Sequence, residues 1–147
     1  MRRVLWILIG LSVMIQAGDR FVRDATAEIV SDTQTGLQWQ DDIHTKYYRG
    51  SWQSSIAFCE ALDTTANSGY DDWRLPNINE LYSIADMSIH DPALSGVFEN
   101  IVSSSYWSST TRENYHERAW VVYFYNGSVY GSYKDSNRFV RCVRDGQ

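Results

Sequence analysis

The chain has two cysteines, Cys59 and Cys142, one mid-chain and one near the end. A bond between them would staple the middle of any fold to its last strand, so whether it forms is the first question. The N-terminus bears on the answer. Arg2 and Arg3, an apolar run from Val4 to Ile15 and a small-residue exit at Ala17 and Gly18 match the three-part grammar of a secretory signal. That run is shorter than the roughly 20 residues a membrane-crossing helix needs. Residues 1–17 are therefore expected to be a cleaved signal peptide rather than an anchor, with no permanent membrane span after its removal. The expected location is outside the cytoplasm, in the periplasm, secreted or at the cell surface. Disulfides form and persist there, so we expect one structural Cys59–Cys142 bond.

Without Arg2 and Arg3 the net charge of −5 becomes more negative still. An acidic chain lacks the basic footprint that phosphate backbones require, so nucleic acid is not an expected partner. Residues 19–145, beyond the signal, have room for one domain with one core.

Periodicity divides that domain. Residues 19–32 and 35–40 read as two extended pieces around a polar turn at Thr33–Gly36, an opening hairpin. Residues 41–50 show no clean period and read as loop. In "SWQSSIAFCEAL" Trp52, Ile56 and Cys59 share a helical stripe, with Ser51 as N-cap. A turn-rich connection leads to "WRLPNINELYSIADMS". There Pro76 forces Leu75 extended, Asn77 caps, Glu80 completes a capping box, and a second helix runs to about Met87. Beyond it aromatic and β-branched residues dominate. "AWVVYFYNGSVYGSYK" reads as two strands around Asn126-Gly127. "RFVRCVR" reads as a last strand with Val140 and Cys142 on one face and Phe139, Arg141 and Val143 on the other. Strands, two helices and a further block of strands make an α+β domain.

Five signatures recur in one order: "TGLQW" at 35–39 with Trp39, a Trp-bearing helix with Cys59, "DWRLPNINEL" at 72–81, "YWSST" at 106–110, and "FVRCVR" at 139–144. Together they resemble the Lcl C-terminal domain family, long catalogued as a domain of unknown function and named after a collagen-like bacterial adhesin. The resemblance spans nearly all of residues 19–144. It implies a C-type-lectin-like fold: small twisted antiparallel sheets, two flanking helices, and a long disulfide from the first helix to the final strand that Cys59 and Cys142 match. "WRLP" also resembles a block of formylglycine-generating enzymes, which share that fold. Their chemistry uses cysteines this chain lacks.

Three regions are candidates for ligand binding. Arg74, between Trp73 and the second helix start, could hold an anionic group or pair with Asp72 or Glu80 while Trp73 and Leu75 fill the core. In "YWSSTTRENYHERAW", Tyr115 and His116 lie in a polar loop from Thr111 to Glu117, suited to stacking a sugar. Trp107 and Trp120 there could do the same or belong to the core. Tyr123, Asn126, Tyr130, Tyr133, Asp135 and Asn137 lie along the hairpin and its exit, where tyrosines make an amphipathic platform or merely satisfy strand propensity.

No catalytic residue is assigned. His44, His90 and His116 are scattered and the acids lie in separate pairs, so no metal site, calcium included, and no cofactor is expected. The expectation is a non-enzymatic, exported recognition domain for a carbohydrate or a protein at the bacterial cell envelope. The alternatives are an enzyme of altered chemistry on the formylglycine-generating scaffold, or an assembly component whose tyrosine face is a subunit contact.

Overall fold

A computed structural model describes residues 18–62 and 69–146; the expected signal peptide, residues 1–17, lies outside them. The described residues form two antiparallel-rich sheets with three short helices, an α+β architecture in which sheet predominates. No helix among them is long and apolar enough to cross a membrane.

The first sheet has the order β1-β2-β3-β9, from Phe21–Asp24, Ile29–Asp32, Leu37–Gln40 and Val143–Asp145. The opening segment thus holds three strands where the sequence suggested a hairpin of two. Asp24 is the reason: its carboxylate accepts the Thr26 and Ala27 N–H groups at 2.9 and 3.0 Å, a local turn that apolar periodicity does not reveal. Glu28, at φ 54°, completes the reversal.

The segment read as loop contains a one-turn helix, α1 (His44–Tyr47), and a short strand, β4 (Arg49–Gly50). Asp42 starts α1 by accepting the His44 N–H at 3.0 Å, and Thr45 Oγ1 donates back to the Asp42 carbonyl at 2.7 Å. α2 (Trp52–Glu60) begins where Ser51 Oγ accepts the Ser54 N–H. It buries Cys59 completely, bonded to Cys142 with Cα atoms 5.5 Å apart.

α3 (Ile78–Ser83) carries the full capping box, Asn77 and Glu80 each accepting the other's backbone N–H at 2.9 Å. It stops short of Met87 because the chain turns to pair elsewhere. Ala85 bridges Leu94, and the Asp86 N–H bonds the Ala93 carbonyl at 2.9 Å.

The second sheet has the order β4-β8-β5-β6-β7, adding β5 (Ser105–Thr111), β6 (Arg118–Tyr123), β7 (Ser128–Tyr133) and β8 (Arg138–Phe139). The β6–β7 hairpin turns through four residues rather than two, since Tyr123 pairs with Ser128. Phe124 leaves the ladder for the core, fully buried, and Gly127 takes φ +83°. A side chain at Gly127 would put its Cβ 2.9 Å from Met87 Cγ, so it would strain the backbone and make Met87 shift.

The expected last strand is divided between sheets: β8 pairs with β4 and β5, β9 with β3. Its alternation nonetheless holds. Val140 and Cys142 enter a cluster with Cys59, Trp73, Leu75, Trp107 and Val121. Phe139 and Val143 pack in the other, around Trp39, Leu81, Tyr106 and Phe124.

Arg141, between the two sheets, is entirely buried. Its Nη1 donates to Asp41 Oδ1 at 3.0 Å and to the Gln40 carbonyl at 2.5 Å, its Nη2 to the Asn100 carbonyl, and its guanidinium lies 4.9 Å from the Phe98 ring centre. Asp41, equally buried, also accepts Arg23 Nε at 2.6 Å and the Glu99 and Asn100 N–H groups at 3.0 and 3.2 Å. This polar knot fixes the crossover at which the chain changes sheets.

Candidate functional site

β6 and β7 present one exposed surface built by register. Arg118 pairs with Tyr133 and Trp120 with Gly131, so these four share a face. The loop before β6 folds back over it. Arg112 N–H bonds the Arg118 carbonyl at 2.9 Å, Tyr115 N–H the Arg112 carbonyl at 3.1 Å, and Arg118 N–H the Tyr115 carbonyl at 2.8 Å. Asn114, at φ 64°, supports the tight path.

These constraints stack five side chains. The Arg118 guanidinium lies 4.3 Å from the Tyr133 ring centre and 5.6 Å from Tyr115; that of Arg112 lies 4.5 Å from Tyr115 and 5.1 Å from Trp120. Arg118 Nη2 also donates to Tyr133 Oη at 2.8 Å. The result is a ladder, Tyr133–Arg118–Tyr115–Arg112–Trp120, in which rings and cations alternate. Each contact of this kind contributes roughly 0.5–1 kcal/mol at exposed sites.

Gly131 makes the ladder possible, since a Cβ there would stand 2.8 Å from Arg112 Cδ. Tyr115 is 46% and Tyr133 52% exposed, so both residues reach solvent. Arg112 makes no ion pair with a carboxylate among the described residues, and Glu117 reaches Arg118 only at 3.9 Å. The two tyrosines are thus exposed and the two arginines half-buried between the rings, with Arg118 Nε buried and without a hydrogen-bond partner among the described residues.

The other sequence candidates are distributed around this face. His116 is exposed in the same loop, and Asp135 and Asn137 come after β7. Tyr130 lies on the opposite face of β7, paired with Val121, its hydroxyl 2.5 Å from Ser105 Oγ. Tyr130 and Tyr133 thus do not border one concavity. Tyr123 stacks on Tyr125 with centroids 5.8 Å apart, and Asn126 Oδ1 holds the hairpin turn through the Ser128 N–H at 3.0 Å.

Arg74 is not part of the ladder; its backbone bridges Val143 of β9. Its guanidinium forks onto both Glu80 oxygens at 2.7 Å and reaches Asp145 at 2.9 Å. The Glu80 hydrogen bonds hold Arg74 protonated beyond its ordinary range. Burial pushes the Glu80 carboxyl up, but the bonds from Arg74 and the Asn77 N–H outweigh it and hold it below the usual value. Trp73, Leu75 and Pro76 are buried, as are Trp39 and Trp107; Trp120 is half-exposed beneath Arg112.

Two hollows flank the ladder. One, of about 490 Å³, lies between Ser51, Trp52, Gln53, Lys134 and Asp135. Trp52 is fixed there by its indole N–H on the Ser108 carbonyl at 2.9 Å, with Lys134 Nζ 4.0 Å from its ring centre. The other is an apolar groove of about 400 Å³ between Ile78, Tyr82, Met87, Gly127 and Val129. No group of three or more His, Cys, Asp or Glu among the described residues is placed to hold a metal ion.

Sequence pattern singles out the tyrosines of the ladder but not its two arginines. The available signal is the spacing Arg112–Tyr115–Arg118 inside a polar loop that runs directly into a strand, with a glycine opposite. A model of the Lcl C-terminal domain matches residues 28–144. No curated protein matches the chain.

Proposed function

Since the chain belongs to the Lcl C-terminal domain family, we propose that it is an exported, non-enzymatic recognition domain that binds carbohydrate at the bacterial cell envelope through the ladder of Tyr133, Arg118, Tyr115, Arg112 and Trp120. The scaffold in this reading is C-type-lectin-like; the bond from α2 to the segment before β9, with helices flanking two small sheets, supports it.

The observation that carries the reading is the partly exposed alternation of rings and guanidinium groups built by the β6–β7 face and the loop folded over it. A pyranose offers an apolar face to an aromatic ring and hydroxyl oxygens to N–H donors, and the ladder supplies both at fixed spacing. Among the described residues, the carboxylates of Asp32, Asp72, Glu80 and Asp86 are each held below the ordinary range by an arginine or a local hydrogen bond.

A glycan array probed with the purified protein, covering neutral and acidic saccharides, tests the proposal. Binding is expected, and Arg112→Met and Tyr115→Ala should each weaken it about tenfold, equivalent to about 1.4 kcal/mol. Silence across the array, or hits equally strong in both variants, refutes it.

A further inference from the structure

Each sheet has two edges, and three of the four are blunted. β1 carries Arg23 and Asp24; β4 has two residues; β9 has three, carries Arg144 and Asp145, and is bridged by Arg74. β7 is different: "SVYGSY" is six residues long, without charge or proline. Between Val129 and Ser132 no backbone group bonds outside the ladder with β6 among the described residues. Natural sheets protect long edges with charge, proline or cover, because an open one accepts another strand. Val129, Tyr130 and Tyr133 are also 38, 37 and 52% exposed.

We propose that this edge pairs with β7 of a second copy of the chain, forming a twofold dimer whose second sheets join into one. A twofold axis that pairs two antiparallel edges stands perpendicular to the sheet, so each residue faces one on the same side. With the axis at Tyr130, Val129 lies opposite Gly131, Ser128 opposite Ser132, and Tyr133 beside Gly127. Large side chains then meet small ones, and the two Tyr130 residues face each other at the axis with their rings drawn back over β6 toward Ser105.

This register also matches the surroundings. Tyr133 shares its face with Val129, as their partners Arg118 and Val122 show, and Gly127 and Val129 line the apolar groove with Met87. The incoming strand therefore sets Tyr133 beside that groove at Gly127, while its hydroxyl stays on Arg118. Lys134 falls beside Asn126 and Asp135 beside Tyr125, so no like charges meet although the chain is acidic. The neighbouring register, centred on Gly131, would bring together the two Arg112 side chains that lie over that glycine, a like-charge contact.

Sedimentation of the purified protein over a dilution series tests the proposal, which shares Tyr133 with the carbohydrate reading but is read without any saccharide present. A reversible monomer–dimer equilibrium is expected. Val129→Lys, which removes no hydrogen bond, and Tyr130→Lys, which sets two ammonium groups face to face, should both abolish the dimer while circular dichroism stays unchanged. Tyr130→Cys should cross-link to a covalent dimer on mild oxidation. A monomer at every concentration, a dimer that survives both lysine variants, or a Tyr130→Cys protein that does not cross-link overturns it.

Discussion

Removing Asp41 should cost more than its size suggests. Its carboxylate, with no exposed surface, accepts four donors: Arg23 Nε, Arg141 Nη1 and the Glu99 and Asn100 backbone N–H groups. In Asp41→Ala the fully buried Arg141 loses its counter-charge, and two backbone donors lose their acceptor. Breaking a buried pair from one side costs about 3–5 kcal/mol, a large share of the roughly 5–15 kcal/mol that holds a domain together. Arg141→Met should cost less, on the order of 2 kcal/mol. Asp41 keeps Arg23 and both backbone donors, while the Gln40 carbonyl loses its donor and the Asn100 carbonyl keeps Thr45 Oγ1 at 2.7 Å. In the double variant the two losses should not add, with a coupling on the order of 1–3 kcal/mol. Urea unfolding monitored by tryptophan fluorescence reads all three, since the chain has six tryptophans. Additivity within about 0.5 kcal/mol, or an Asp41→Ala cost below about 1 kcal/mol, would refute the idea that the knot acts as a unit.

Other consequences are as direct. The Cys59–Cys142 bond closes a loop of 83 residues, for which chain entropy gives about 4.5 kcal/mol; the Cys59→Ala/Cys142→Ala protein should lose stability of that order in urea. Asn77→Ala removes the capping acceptor for Glu80 N–H and should cost about 1 kcal/mol, with no effect on carbohydrate binding. Glu80, Asp32 and Asp72 have carboxyls held below their ordinary values of 4.5 and 3.8, so the unfolded chain takes up protons first. The stability they contribute is full above those values and disappears as pH falls through the lower folded ones. The urea midpoint should be level down to about pH 5 and drop below it, and Glu80→Gln should lessen the drop.

How much of the fold is legible in the sequence depends on the range of the interactions. The caps at Ser51 and Asn77, the burial of Cys59 and the two faces of residues 139–143 rest on local chemistry or strict alternation, and they are readable. The turn at Asp24 and the short helix at Asp42 also rest on local bonds, but in segments without apolar period to frame them. The break of the last strand depends on Arg141 meeting Asp41, 100 residues away, which no local pattern encodes. The ladder divides in the same way. Tyr115 and Tyr133 stand out as aromatic residues in polar surroundings, whereas Arg112 and Arg118 gain meaning only once register sets Gly131 beneath one and Tyr133 beside the other.

The most direct test of the recognition reading is an amide and side-chain NMR titration of the protein with a saccharide that binds it. The Trp120 indole, the Arg112 and Arg118 Nε–H groups and the Tyr115 and Tyr133 amides should shift together and saturate at one affinity. Saturating shifts confined to the Trp52–Lys134 hollow or to the Met87 groove, with the ladder silent, would contradict it.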